Sequence, residues 1–376
     1  MPDHLGIYVH WPFCQAKCPY CDFNSHVVSH VDHGRWRAAY TAEIARAASL
    51  TPDRTVGSIF FGGGTPSMME PETVETVIDG IRRNWRTAND LEITLEANPT
   101  SVEAERFRGY ASAGVNRVSM GIQALNDPDL KRLGRLHSVE EAQTAFATAR
   151  ATFDRVSFDL IYARQDQSLA AWRDELREAL DMAADHLSLY QLTIEDGTAF
   201  GDRFRRGGLR GLPDEDLTAD MYEVTQELTR EAGLPAYEIS NHARPGAESR
   251  HNMIYWTGGD YVGIGPGAHG RIAVGGRRHA TEAVSAPLVW LNRVMAGQTP
   301  DQSEALTEHD IFVERLMMGL RIDQGVHLAD LRPTAAFQAE VQNLGELGLV
   351  TCDDGYLRTT PAGRPLLNSI LRALLT

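Results

Sequence analysis

His10-Trp11-Pro12-Phe13-Cys14-Gln15-Ala16-Lys17-Cys18-Pro19-Tyr20-Cys21 sets three thiols within eight residues, in the spacing C-x3-C-x2-C. It follows directly on an apolar run, Leu5–Val9, that reads as a strand. Three closely spaced thiolates on a loop can hold three irons of a cubane [4Fe–4S] cluster and leave the fourth iron open to an external ligand. Zinc is the competitor, but a structural zinc site wants four ligands, commonly as two C-x2-C halves. The remaining cysteine, Cys352, lies in the distal part of the chain. Clustered thiols of this kind point to metal or redox chemistry rather than to a disulfide framework.

Outward from that loop, β-rich runs alternate with helical stretches. The strand candidates are Leu5–Val9, Ser58–Phe61, Glu92–Glu96, Arg117–Met120, Val156–Leu160 and His186–Gln191. Between them the pattern predicts helices over Gly34–Ser49, Glu72–Asn84, Ser101–Ala113, Ser138–Ala151 and Ser168–Ala183, with Ser101 and Ser138 as caps. Six strand–helix alternations argue for a parallel sheet with right-handed crossovers. Six units are too few for a closed eight-fold barrel, so the expected class is α/β, an open, partial (β/α)6 TIM-like barrel. Periodicity alone is also compatible with a doubly wound sheet.

The later part of the chain has a different texture. Arg203–Arg210 reads as a basic loop, 214–232 as a helix, and 257–278 as tight glycine-rich turns around short strands. Helices are expected near 307–320 and 334–347. A strand pair follows, Leu349–Thr351 and Gly355–Arg358, turned by Asp353-Asp354-Gly355, and then a helix over Pro361–Leu375. The expected division is a core over 1–235, a glycine-rich segment over 236–300, and a smaller α+β, winged-helix-like module over 301–376. Lys+Arg of 36 against Asp+Glu of 51 gives a net charge of −15, which argues against a general nucleic-acid binder. No apolar run reaches the ~18 residues that span a bilayer, and residues 1–13 lack a signal-peptide layout. A soluble, cytoplasmic protein is expected.

Phe61-Gly62-Gly63-Gly64-Thr65-Pro66 ends the second strand; its glycines allow close backbone approach and are expected to leave N–H groups free for a ligand. Taken alone, such a stretch is an ordinary turn. Polar residues also mark the ends of later strands: Glu96, Gln123 and Asp159. In parallel barrels the reactive face is built from these ends, although any one could be merely solvated.

Together these motifs resemble the radical S-adenosylmethionine (SAM) superfamily. The resemblance implies that Cys14, Cys18 and Cys21 ligate the cluster and that the open iron chelates SAM, which can be cleaved to a deoxyadenosyl radical. It further implies that Tyr20 packs near the adenine, that Gly63, Gly64 and Thr65 hold the SAM amino group, and that Tyr8, Glu96, Gln123, Arg135 and Asp159 complete the SAM site. Along nearly the whole chain, including the C-terminal module, the sequence is similar to the oxygen-independent coproporphyrinogen III oxidase-like branch. The oxidases of that branch carry a further cysteine two residues after the third; here Phe23 stands there. The heme-chaperone group carries H-N-x-x-Y-W, and this chain has His251-Asn252-Met253-Ile254-Tyr255-Trp256.

That motif joins an imidazole able to ligate heme iron to two aromatics able to pack on a porphyrin, whereas a lone histidine is ordinarily structural. The resemblance therefore implies a heme chaperone, with cluster, SAM and heme as cofactors and His251, Tyr255 and Trp256 at the heme. Its partners would be an apo-hemoprotein recipient, such as a membrane-bound respiratory component, and an electron donor for the cluster. The alternative is radical decarboxylation of coproporphyrinogen III; whether SAM is cleaved in function stays open. One departure is Ala163-Arg164-Gln165, where many relatives continue Asp159-Leu160-Ile161-Tyr162 with Gly-Leu-Pro.

Overall fold

A computed structural model describes residues 4–100 and 104–375. All six expected strands form, each as long as its expected run or longer. They are β1 (His4–Trp11), then, after a short parallel pair β2 (Phe13–Cys14) and β3 (His26–Val27), β4 (Thr55–Gly63), β5 (Arg86–Ala97), β6 (Arg117–Gln123), β7 (Arg155–Tyr162) and β8 (His186–Gln191). They pair in parallel in the order β1-β4-β5-β6-β7-β8. A doubly wound sheet reverses its strand order at a switch point. This one advances in a single direction, so the partial barrel is the correct choice.

Alternation along the strands divides the two faces. Ile7, Ile59, Ile93, Leu95, Val118, Met120, Val156, Phe158 and Leu187 are buried in one apolar cluster with Trp36, Tyr40, Val77, Phe107, Phe146 and Trp172 from the surrounding helices. Burial of that face supplies the main driving force for the crossovers to pack. The opposite parity carries Tyr8, Ser58, Thr94, Glu96, Arg117, Ser119, Ser157, Asp159, His186 and Ser188. Barrel interiors are ordinarily filled by branched apolar side chains. Here the interior is a polar well.

Several boundaries differ from expectation. The helix after β5 is Phe107–Ala113, and the Ser101 cap lies outside the described residues. Arg203–Arg205 are not loop but the end of a helix, Ala199–Arg205, capped by the Thr198 hydroxyl. The final helix is Leu367–Leu374, preceded by a 3-10 turn, because Pro365 interrupts the run. The HNxxYW stretch lies on a helix, Arg250–Trp256.

The glycine-rich part is more than turns. Among the described residues, β9 (Asn241–Ala243) closes one edge antiparallel to β8. On the other edge β10 (Tyr261–Ile264) pairs parallel to β1, and β11 (His269–Val274), β12 (Arg277–Ala283) and β13 (Asp301–Ala305) continue antiparallel from it, making eleven strands. A separate three-stranded sheet, β14 (Val326–His327), β15 (Val350–Asp353) and β16 (Tyr356–Thr359), packs with helices Glu308–Gly319, Ala335–Glu346 and Leu367–Leu374 around its own apolar cluster.

At the 163–165 departure, Ala163 takes φ +58°, a left-handed conformation that glycine adopts freely. The Arg164 side chain, 4% exposed, offsets this with ion pairs to Asp129 at 2.9 Å and Glu175 at 2.5 Å. The loop therefore turns here without glycine or proline.

Candidate functional site

The C-terminal ends of the barrel strands and the cysteine loop enclose a cavity of about 860 Å³. Cys14, Cys18 and Cys21 line it, as do Tyr8, Tyr20, Gly63, Gly64, Thr65, Glu96, Gln123, Arg135 and Asp159. Every residue that the sequence assigned to cluster or SAM therefore faces one space.

The cysteine loop is tied at both ends. Its exit pairs with its entry, Phe13 opposite His26 and Cys14 opposite Val27. Asn24 donates its amide to the carbonyls of Pro266 and Ser285, both at 2.9 Å, and its own carbonyl lies 2.9 Å from His10 Nε2. Around the sulfurs stand polar donors: Thr65 Oγ1 to Cys14 Sγ at 3.4 Å, and Arg135 Nη1 to Cys18 Sγ at 3.4 Å. Burial pushes the Cys14 and Cys21 thiols above their ordinary pKa, so their thiolates need a cationic partner.

The glycine motif works differently from expectation. The N–H groups of Gly64 and Thr65 are not free; they donate to the carbonyls of Trp11 and Phe13 at 2.7 and 2.8 Å. The Gly63 N–H binds the Glu96 carboxyl. The motif thus zips β4 onto the cysteine loop, and its glycines are required by the closeness of that contact. A Cβ at Gly64 would stand 2.6 Å from the Phe13 carbonyl oxygen, and Gly63, at φ +108°, would meet the His10 ring at 2.5 Å.

Glu96 and Asp159 face the cavity without a counter-cation at ion-pair distance among the described residues. Burial, and next the Asp159 charge, raise Glu96 to about 8. Burial raises Asp159 to about 6, against the hydrogen bond it accepts from Gln123 Nε2 at 2.6 Å. Gln123 reaches it from a β-bulge, with φ +77°. Two buried carboxyls in a polar cavity are poised to receive a cation. Arg135 Nη2 donates to Asn98 Oδ1 and the Gly121 carbonyl at 2.6 and 2.8 Å, while its Nε is buried with no partner among the described residues.

This donor set fits a cluster with an amino-acid-bearing, cationic co-ligand. Three thiols share one tethered loop, carboxyls wait for positive charge, and an orphaned guanidinium N–H waits for an acceptor. The zinc alternative finds no support: Cys352 is exposed on β15, away from the cavity. Among the described residues no three His, Cys, Asp or Glu side chains gather as a site for one metal ion.

His251 and Tyr255 line the same cavity. They sit four residues apart and so share a helix face, whereas Trp256 is turned aside and does not reach the space. The His251 ring stacks on Phe60 with centroids 5.0 Å apart; its Nδ1 lies 2.8 Å from Ser58 Oγ, and its Nε2 is hydrogen-bonded to the Tyr255 hydroxyl. Burial, then the Arg117 charge, lowers its pKa to about 3, leaving a neutral imidazole. Residues that went unassigned in the sequence include Asn24, Asn98, Arg117 and His186. Arg117 was detectable as a charged residue at the inward parity of β6; the tether through Asn24 was not, because its partners lie over 240 residues away.

Comparison with known proteins gives a consistent result. The Radical SAM superfamily model matches residues 8–179 and the HemN C-terminal domain model matches residues 306–366. Radical S-adenosyl methionine domain-containing protein 1, mitochondrial, of Bos taurus is 40% identical over 389 residues, covering 100% of this chain and 88% of that protein. Heme chaperone HemW of Escherichia coli is 43% identical over 270 residues, covering 71% of this chain and 70% of that protein. The solved structure of coproporphyrinogen III oxidase (HemN) from Escherichia coli superposes with a TM-score of 0.83 at 21% identity, covering 100% of this chain and 91% of that one; this is a likeness of fold. Among the described residues, no helix is long and apolar enough to cross a membrane.

Proposed function

This chain belongs to the radical SAM superfamily, in the HemW group that carries a HemN C-terminal domain, and on that premise we propose that it is a heme chaperone that binds a [4Fe–4S] cluster, SAM and heme and delivers the heme to an apo-hemoprotein. The observation that carries this reading is a single cavity lined both by the three thiols and by His251 and Tyr255.

When bound, cluster and SAM supply one-electron chemistry. The chain's own residues hold them: Cys14, Cys18 and Cys21 offer thiolates, Glu96 and Asp159 meet the positive charge of SAM, Arg135 meets its carboxylate, and Tyr20 borders the adenine. His251 stays neutral at physiological pH, which is the ligating form of imidazole. Phe23, at the position of the oxidases' extra cysteine, lines the cavity, is 60% exposed and offers no thiol.

SAM binding should be pH-dependent. With Glu96 at about 8 and Asp159 at about 6, Glu96 is mostly protonated at neutral pH in the SAM-free site. A cation favours the ionised carboxylate, so binding releases a proton and tightens as pH rises. Between pH 6 and 7.5 the association constant of the reconstituted protein should climb by up to roughly tenfold per pH unit. Glu96→Gln should flatten that slope. Calorimetry in two buffers of different ionisation enthalpy counts the proton; none released in the wild type would refute the assignment.

Heme ligation through His251 Nε2 requires the Tyr255 hydroxyl to give up its bond. Tyr255→Phe keeps the ring and removes that competitor, so it should bind heme at least as tightly as the wild type. His251→Ala should weaken binding by roughly tenfold or more, the value of about one good interaction. Soret titrations of the three reconstituted proteins, followed by transfer to an apo-hemoprotein, test the reading. Equal affinity of wild type and His251→Ala would overturn the role of His251.

A further inference from the structure

Below the strand-end carboxyls the cavity continues into the polar well, reaching Arg117, Ser119, His186 and Ser188. Arg117 is 2% exposed. Its guanidinium donates to Ser157 Oγ at 2.9 Å and more distantly to Thr94 Oγ1 at 3.5 Å, and no carboxylate oxygen comes within 4 Å among the described residues. A buried cation without an anion is costly, and hydroxyls compensate it poorly. Arginine's planar fork of five N–H donors is suited to a carboxylate.

His186 stands beside it, also 2% exposed. The Tyr237 hydroxyl accepts from Asn252 Nδ2 at 3.3 Å and is hydrogen-bonded to His186 Nε2 at 3.0 Å. His186 Nδ1 is buried and has no partner among the described residues; in the tautomer in which Nε2 accepts from Tyr237, Nδ1 carries the ring proton. A guanidinium with no ion-pair partner and an unpaired imidazole nitrogen therefore both line the well. Glu96, which feels the Arg117 charge without forming an ion pair with it, and Asp159 are committed to SAM under the proposed function, which leaves Arg117 without a partner of its own.

We propose that the floor of the barrel is a carboxylate-binding subsite, where Arg117, joined by His186 in its Nδ1–H tautomer, receives a carboxylate of the second ligand that enters beside SAM. This rests on the heme reading when that carboxylate is a heme propionate. The volume of about 860 Å³ lies near the top of the roughly 300–1,000 Å³ range of small-molecule pockets, which leaves room for a ligand beside SAM.

The test compares free acids with esters on the cluster-reconstituted, SAM-loaded protein. Hemin is titrated against hemin dimethyl ester by the Soret band, and coproporphyrin III against its tetramethyl ester by fluorescence. In the wild type the acid should bind at least tenfold more tightly than the ester, as expected for charge-assisted hydrogen bonds of about 1.5–3 kcal/mol. The ratio should fall to near one in Arg117→Gln and recover in part in Arg117→Lys. Preference for hemin over its ester identifies the propionate as the occupant. Preference with coproporphyrin alone keeps the subsite and removes the heme reading. No acid preference with either porphyrin in the wild type, including no binding by either, overturns the proposal whether or not the variants fold. An unchanged ratio in Arg117→Gln overturns it as well.

Discussion

Cys18→Ser is expected to give a folded protein that takes up no stable [4Fe–4S] cluster, with iron and sulfide after anaerobic reconstitution falling below about a tenth of wild type. A cubane held by three thiolates has no spare protein ligand, and serine is a poor substitute for a thiolate on iron. Cys18 is the informative position because its side chain is only partly buried and its polar contacts, with Arg135 and Tyr20, are made at the cavity. Its loss leaves no cavity in the apolar core, so the metal-free variant should melt close to the metal-free wild type, within the ±0.5 kcal/mol usual for such substitutions. Cys14 is buried against β3 and Thr65, and its replacement would confuse folding with ligation. Wild-type iron content in Cys18→Ser would remove Cys18 from the cluster, and with it the reading of the cavity.

Gly64→Ala should be nearly as damaging although it removes no functional group. The added methyl would lie 2.6 Å from the Phe13 carbonyl oxygen and 2.9 Å from that of Trp11. Both are backbone atoms, and both accept the hydrogen bonds that zip β4 to the cysteine loop. The strands can separate only by giving up those bonds. Overpacking of this kind costs about 1–3 kcal/mol, and it falls where the Gly63 N–H must hold Glu96. SAM affinity, measured by equilibrium binding to reconstituted protein, should drop by roughly a hundredfold or more, in line with 2–3 kcal/mol of misplaced contacts. Affinity within a factor of three of wild type would show that the contact tolerates a methyl and that the glycine serves only the turn.

Much of the site was legible because its signals are local. The cysteine spacing, the glycines after β4 and the polar strand ends of β5, β6 and β7 each lie within a few residues of a strand terminus. A parallel barrel gathers strand termini at one mouth. The glycine motif shows the limit of such reading. Its composition suggested open N–H groups, but those of Gly64 and Thr65 are satisfied by the carbonyls of Trp11 and Phe13, more than fifty residues earlier, a pairing that depends on β1 and β4 being neighbours. The Ala163-Arg164 turn is similar: nothing near it in sequence announces that Asp129 and Glu175 will neutralise the arginine.

By itself the sequence determined the six-fold strand–helix alternation, the apolar faces that bury it, and the thiol loop, because period-two patterning and residue spacing are properties of the chain. Tertiary structure decided the rest. Alternation permits either winding, and only the order of pairing, β1-β4-β5-β6-β7-β8, selects the barrel. Only the docking of helix Arg250–Trp256 against β1 and β4 carries His251 and Tyr255 into the cavity of the cysteines and leaves Trp256 outside it. Only the curling of the sheet brings Arg117 and His186 into one well where the guanidinium has no ion-pair partner among the described residues. These are consequences of which surfaces exclude water from one another, and burial between elements hundreds of residues apart has no local signature in the chain.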